Sequence, residues 1–212
     1  MALNNFTNIS QAVEDWLNRS GFQDVTKHIE DFIIIGQRRI MREVRIPPME
    51  TVVTLSVDSV TEPLPTDYLE SKTLTIIQTA GNVTLHRAPF EQVRKFTSVN
   101  QPKFFARAGS DLYFGPPPGQ TYSIELVYYK ELEFISSTVS QNWFSQFAAE
   151  LILAAALTEA YHFMQETASA DNWDRLYLRT KGLLEEQRDK AEWSGGPLSA
   201  RNDVLMDQHF VP

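Results

Sequence analysis

The sequence predicts an α+β protein: N- and C-terminal helices form an antiparallel helical bundle, an antiparallel β-sheet domain is inserted between them, and an extended C-terminal tail follows. Three observations predict it. Apolar residues recur at helical spacing before residue 47, β-branched stretches separated by turn residues fill the middle, and helical patterning returns near residue 140. The boundaries are 1–48 with 138–193 for the bundle, 49–137 for the β insertion and 194–212 for the tail.

The first helix is read from "TNISQAVEDWLNRSG". Ile9, Val13, Trp16 and Leu17 make its stripe, Thr7 or Ser10 its cap, and Gly21 its stop. A second helix opens at Asp24 and runs to about residue 45, roughly 30 Å. Its stripe is Val25, Ile29, Phe32, Ile33, Gly36, Ile40 and Val44, and Pro47 and Pro48 end it. Strands follow in "TVVTLSVDSV" and on both sides of the Ala-Gly-Asn turn at 80–82, with "PLPTDY" as a further turn and "PFEQVRKFTS" as a short helix.

In "KFFARAGSDLYFGPPPGQTYSIELVYY" the spacing predicts a β-meander with corners at Gly109 and at the proline run 116–118. Prolines remove the N–H groups that a phosphate-cradling loop needs, so this run is a sheet corner. The segment "NWFSQFAAELILAAALTEAYHFMQ", capped by Asn142, is apolar almost all round and is expected to be the most buried helix. A last helix runs from Ser169 or Asp171 to Trp193 with a stripe of Trp173, Leu176, Tyr177, Leu184 and Ala191. Gly195, Gly196 and Pro197 break it, and the tail keeps Leu205, Met206, Phe210 and Val211.

The chain has no cysteine and a formal net charge of −8. The first fact excludes disulfides, thiolate metal sites and a cysteine nucleophile; the second argues against an external surface that grips nucleic acid. The N-terminus lacks the basic and apolar regions of a signal peptide, and "LILAAAL" is too short to cross a membrane. A soluble protein is expected.

No phosphate-binding glycine motif, nucleophile elbow or zinc-binding helix motif is present. Glu159 and His162 share the spacing of di-iron bundle ligands, yet such sites need two pairs and two further carboxylates. His28 and Asp31 read as a local polar contact at a helix start. Arg38, Arg39, Arg42 and Arg45, with Glu185, Glu186 and Arg188, read as an ion-pair belt between subunits. Trp143, Trp173 and Trp193 read as core or interface anchors. The residues therefore imply no enzyme, cofactor or metal.

The order of "VEDWLNRSGF", "IEDFIIIGQRRIMREVRIPPMET", "EPLPTDYLESKTLTI", "QPKFFARAGSDLYFGPPPGQTYSIELVYYKELEFIS" and "NWFSQFAAELILAAALTEAYHFM" resembles the head-to-tail adaptor (connector or head-completion) proteins of tailed bacteriophages. The resemblance covers roughly residues 8–193. It departs from the family pattern at Gly36-Gln37, since the family has a small residue followed by an acidic one there and this chain has glutamine. The resemblance implies a helical bundle with a β insertion and a ring of twelve copies under the portal. Such a ring extends the DNA channel without specific DNA binding and docks a downstream tail protein, the nozzle or tail tube. It implies a virion component at the head–tail interface, assembled in the host cytoplasm, with no membrane partner. Trp193, Leu205, Met206, Phe210 and Val211 would then contact the portal or a neighbouring copy. The rival readings are another tail component, such as a gatekeeper, nozzle or tail-tube subunit, and a metal-binding helical-bundle enzyme using Glu159 and His162.

Overall fold

The computed structural model describes residues 3–17 and 23–192. The expected stop at Gly21 and the tail with its Gly195-Gly196-Pro197 break lie outside those residues. The chain is α+β, as expected, with two cores: one among the helices, the other between two sheets.

Helix α1 is Phe6–Leu17. Its cap is Asn5, not Thr7 or Ser10: the Asn5 side chain accepts from Asn8 N at 2.8 Å, and its carbonyl accepts from Ile9 N at 3.0 Å. Ile9, Ala12, Val13 and Leu17 face the core, while Trp16, expected in that stripe, is 58% exposed. The second expected helix is two pieces, α2 (Gln23–Thr26) and α3 (Ile29–Glu43). A tight turn separates them, in which His28 N donates to Val25 O at 3.0 Å. Val44 is extended and ends α3, Ile46 is extended as the residue before Pro47 is restricted to be, and the 3-10 turn Pro47–Met49 leads into the sheets.

Strands β1 (Glu50–Val57), β2 (Thr61–Pro63), β3 (Tyr68–Ile76), β4 (Val83–Thr84) and β5 (His86–Arg87) precede the short helix α4 (Phe90–Val93). Strands β6 (Phe104–Ala108), β7 (Asp111–Gly115) and β8 (Tyr122–Lys130) follow it. They form two four-stranded sheets, ordered β1-β8-β3-β4 and β2-β7-β6-β5. The expected meander is only half present. β6 and β7 pair as a hairpin through Gly109, whose φ of +65° suits glycine. β7 and β8 do not pair, because the proline run carries the chain from one sheet to the other, where β8 enters between β1 and β3. The first sheet is antiparallel throughout, as expected of the insertion, but the second is mixed, since β5 and β6 are parallel.

This crossing gives the sheets a common core. Alternate residues Tyr122, Ile124, Leu126 and Tyr128 of β8 meet Phe105, Leu112 and Phe114 of the other sheet. Gly115, at the start of the crossing, has no room for a side chain: a Cβ there would lie 2.9 Å from Phe96 and 3.0 Å from the Val93 carbonyl.

The segment expected as one helix after Asn142 is α5 (Trp143–Phe147) and α6 (Ala149–Phe163), separated by Ala148 at φ −147°, ψ 43°. Asn142 does cap α5, in a reciprocal pair: its side chain accepts from Ser145 N at 2.9 Å, and Ser145 Oγ accepts from Asn142 N at 3.0 Å. α6 is the helix whose residues are buried on nearly all sides, as expected, including Leu151 through Thr158 without interruption. Thr158 satisfies its buried hydroxyl by donating to Ala154 O at 2.8 Å. Gly36 is what lets α3 approach α6, since a Cβ there would lie 3.0 Å from both Ala155 Cβ and Ala156 N.

α7 is Thr167–Glu192 and packs along α6. Ala170, Tyr177 and Thr180 are buried, and Trp173 and Leu184 pack against the core. Leu176, expected in that stripe, faces outward, and the Ala191 side chain lies outside the described set. Between α6 and α7, Gln165 has φ +61°, the left-handed conformation that glycine accepts at a helix end. Gln165→Gly is therefore expected to stabilise the protein by about 0.5–1 kcal/mol, read as a raised chemical-denaturation midpoint. A lowered midpoint would show that the Gln165 side chain contributes more than the strain it carries.

Candidate functional site

The basic residues singled out in the sequence diverge onto two faces of α3. One face forms a fastened seam with α7. Arg39 pairs with Asp174 at 2.7 Å and with Glu43 at 3.1 Å, and its guanidinium lies 4.0 Å from the centre of the Tyr177 ring. Glu43 also accepts from Tyr177 Oη at 3.0 Å and from Lys181 Nζ at 3.2 Å. Lys181 in turn reaches Glu185 at 3.9 Å.

The electrostatics follow from that geometry. Burial pushes the Glu43 carboxyl up, but hydrogen bonds from Lys181, Arg39 and Tyr177 outweigh it and hold the group below the ordinary carboxylate range. Burial also opposes the charge on Arg39, and its bonds to Asp174 and Glu43 outweigh that. Tyr177 is pushed up, by burial first and then by the Glu43 charge.

Arg45 ties the end of α3 to the sheets. It pairs with Glu70 of β3 at 3.2 Å and donates to Met41 O at 2.7 Å and Val44 O at 2.9 Å. Arg188 of α7 donates to Arg45 O at 3.1 Å and pairs with Asp189 at 2.7 Å. Glu186 pairs with Lys190 at 2.7 Å. Arg39, Arg45, Arg188, Glu185 and Glu186 are thus engaged within one chain.

Arg38 and Arg42 are different. Both are exposed on the other face of α3, and neither makes an ion pair with a described residue; Arg42 Nε donates to Arg38 O at 3.2 Å. They flank a hollow completed by Ile35, Met41, Leu69 and Glu131. A second hollow continues along α3 from Arg38 and Ile35 to His28, Asp31 and Phe163. There His28 Nδ1 and Asp31 Oδ2 are 2.9 Å apart, the local polar contact expected from their spacing. Ile35 is 40% exposed and Phe163 54%.

The tryptophans divide similarly. Trp173 packs edge-on to exposed Trp16 with ring centres 5.1 Å apart, while half-buried Trp143 packs on Phe144 and Phe147. Trp193, Leu205, Met206, Phe210 and Val211 lie outside the described residues. Glu159 and His162 gain no further ligands: no group of three or more His, Cys, Asp or Glu residues able to hold a metal ion occurs among the described residues. No described helix is long and apolar enough to cross a membrane.

Sequence reasoning missed the buried Gln37. Its Nε2 donates to Ile135 O at 3.0 Å, and its Oε1 accepts from Ile135 N at 2.8 Å and from Asn142 Nδ2 at 3.2 Å. It also missed the Glu43 cluster, although the Arg39/Glu43 and Lys181/Glu185 spacings were visible as i,i+4 pairs.

Two buried tyrosines give the fold an alkaline limit. Tyr128 donates to Asp67 at 2.9 Å, and burial and that bond push its hydroxyl up to about 12. The unfolded chain ionises these phenols near pH ~10 while the folded chain keeps them protonated, so stability is expected to fall as pH rises from ~10 to ~12. Melting temperatures across that range should drop less steeply in Tyr128→Phe and Tyr177→Phe; an equal drop in both variants would contradict the assignment.

A protein-family model described as SU10 adaptor protein matches residues 4–201. No curated protein matches the chain.

Proposed function

This chain belongs to the SU10 adaptor protein family, a phage adaptor family, and from that premise we propose that it is a non-enzymatic virion protein that joins head to tail. Copies of the chain, twelve in the expected ring, sit beneath the portal, extend the DNA channel and dock the next tail protein, a nozzle or tail tube. In this reading residues 1–48 and 138–193 act as an antiparallel bundle, 49–137 as its β insertion and 194–212 as an arm for the portal or a neighbouring copy. The observation that carries it is the family match over residues 4–201, nearly the whole chain.

Physical features support it. Trp16, Phe147, Phe163 and Leu183 are large apolar side chains left more than half exposed on the helices, as suits a subunit whose neighbours cover them. Arg38 and Arg42 offer charges that an adjacent copy can pair. A net charge of −8 favours a channel in which DNA slides without sticking.

Electron microscopy of the protein mixed with its portal tests the reading. Ring density directly beneath the portal is expected; density further down the tail would make it a gatekeeper, nozzle or tail-tube subunit instead. Deleting residues 195–212 is expected to leave the subunit folded and abolish co-sedimentation with portal. Undiminished co-sedimentation would remove the arm from the mechanism.

A further inference from the structure

The hollow beside Arg38 and Arg42 has an occupant within reach. Its walls are apolar at Ile35, Met41 and Leu69, and its rim carries two arginines against the single carboxylate of Glu131. Arg45, Arg39 and the α7 pairs consume the other charges nearby, so the rim keeps an excess of positive charge with no ion pair among the described residues. Residues 203–212, "DVLMDQHFVP", offer the complement: Asp203 and Asp207 interleaved with Leu205, Met206, Phe210 and Val211.

Position favours a contact within one chain. Arg188 touches Arg45 O, so α7 finishes beside the end of α3. Glu192 is one turn, about 6 Å, past Arg188, and Arg38 is about two turns, roughly 11 Å, before Arg45. Residues 193–202 can span at most about 35 Å, more than that separation requires. The glycines Gly195 and Gly196 allow the chain to reverse.

We propose that residues 203–212 dock within their own chain into the hollow between Ile35, Met41 and Leu69, with Asp203 and Asp207 facing Arg38 and Arg42. Docking covers the exposed Ile35 and neutralises the two arginines. A tethered segment of this length is held at an effective concentration on the order of millimolar, so a portal or neighbouring copy must outcompete it. The inference does not rest on the adaptor reading, and its test needs no portal.

The absence of native cysteine makes that test direct. The full chain carrying Ile35→Cys and Leu205→Cys is oxidised with copper-phenanthroline and run without reductant, beside a control pairing Leu205→Cys with Val52→Cys on exposed β1. The expected result is a fast-migrating monomer that forms several-fold faster for the position-35 pair, at a rate independent of protein concentration. Arg38→Glu with Arg42→Glu should lower that rate to the control's, and adding Asp203→Lys with Asp207→Lys should restore it. Both arginines are exposed, so these variants should melt as the parent does. Equal rates at positions 35 and 52 would overturn docking, and concentration-dependent crosslinked dimers would overturn it in favour of a second copy's segment.

Discussion

Ile152→Asp is expected to abolish the cooperative unfolding transition. Ile152 is fully buried in α6, with Leu151, Leu153 and Ala154 through Ala156 buried beside it. Removing the side chain alone costs about 2–5 kcal/mol through lost burial and the cavity left behind. The carboxylate adds several kcal/mol, since Ile152 is fully buried in a helix that packs on α1, α3 and α7 and itself carries no lysine or arginine. Domains of this size have roughly 5–15 kcal/mol of stability in total, so the two losses together consume most of it. Leu151→Asp should behave alike. Leu183→Asp is the control, because that side chain is 53% exposed on α7 and the change should fall within about 0.5 kcal/mol. A soluble Ile152→Asp protein with the parent's melting curve would show that α6 is not the centre of the helical core.

Why α6 was legible and the proline corner was not is a matter of range. A helix that is apolar all round has one solution, burial, and "LILAAAL" states it locally. The corner at 116–118 reads locally as a hairpin between two alternating strands. Which strand β8 pairs with depends on β1 and β3, some fifty or more residues earlier in the chain, where Glu50 pairs Tyr129 and Ile76 pairs Ile124. Nothing between Gly115 and Tyr122 encodes that choice. The stripes failed at their edges for a related reason: Trp16 and Leu176 have the spacing of core residues but lie at the rim of the bundle, where Trp16 meets Trp173 edge-on and still stays exposed.

The arginines show the same limit at the candidate site. Four basic residues in "RRIMREVR" look alike in sequence, yet the helical turn sends Arg39 to Asp174 and Glu43 while Arg38 and Arg42 stay exposed on the adjacent face. Partners on α7, well over a hundred residues away, decide which charges are spent within the chain. The i,i+4 pairs were readable, but the link from Glu43 to Tyr177 was not.

Gln37→Glu, nearly isosteric, is expected to destabilise the protein by about 3 kcal/mol at pH 7, because it replaces a donor with a charge inside the core. The native amide serves Ile135 twice, donating to its carbonyl and accepting from its N–H, and so pins the connection between β8 and α5 onto α3. Asn142, which caps α5, bonds the same Gln37 oxygen. One side chain therefore sets where the strands leave off and the helices resume. A carboxylate still accepts from Ile135 N but meets the Ile135 carbonyl with a second negative oxygen. Protonation restores a donor there, so the folded chain holds the new carboxyl's pKa above its unfolded value near ~4.3. The penalty should accordingly grow as pH rises from ~4 and shrink as pH falls toward it, the reverse of a group stabilised by ionisation. Denaturation midpoints of parent and variant should converge between pH ~7 and ~4, whereas Gln37→Leu, which leaves both Ile135 groups unpaired, should lose stability equally at either pH. A pH-independent gap for Gln37→Glu would assign the loss to packing and leave the amide latch without support.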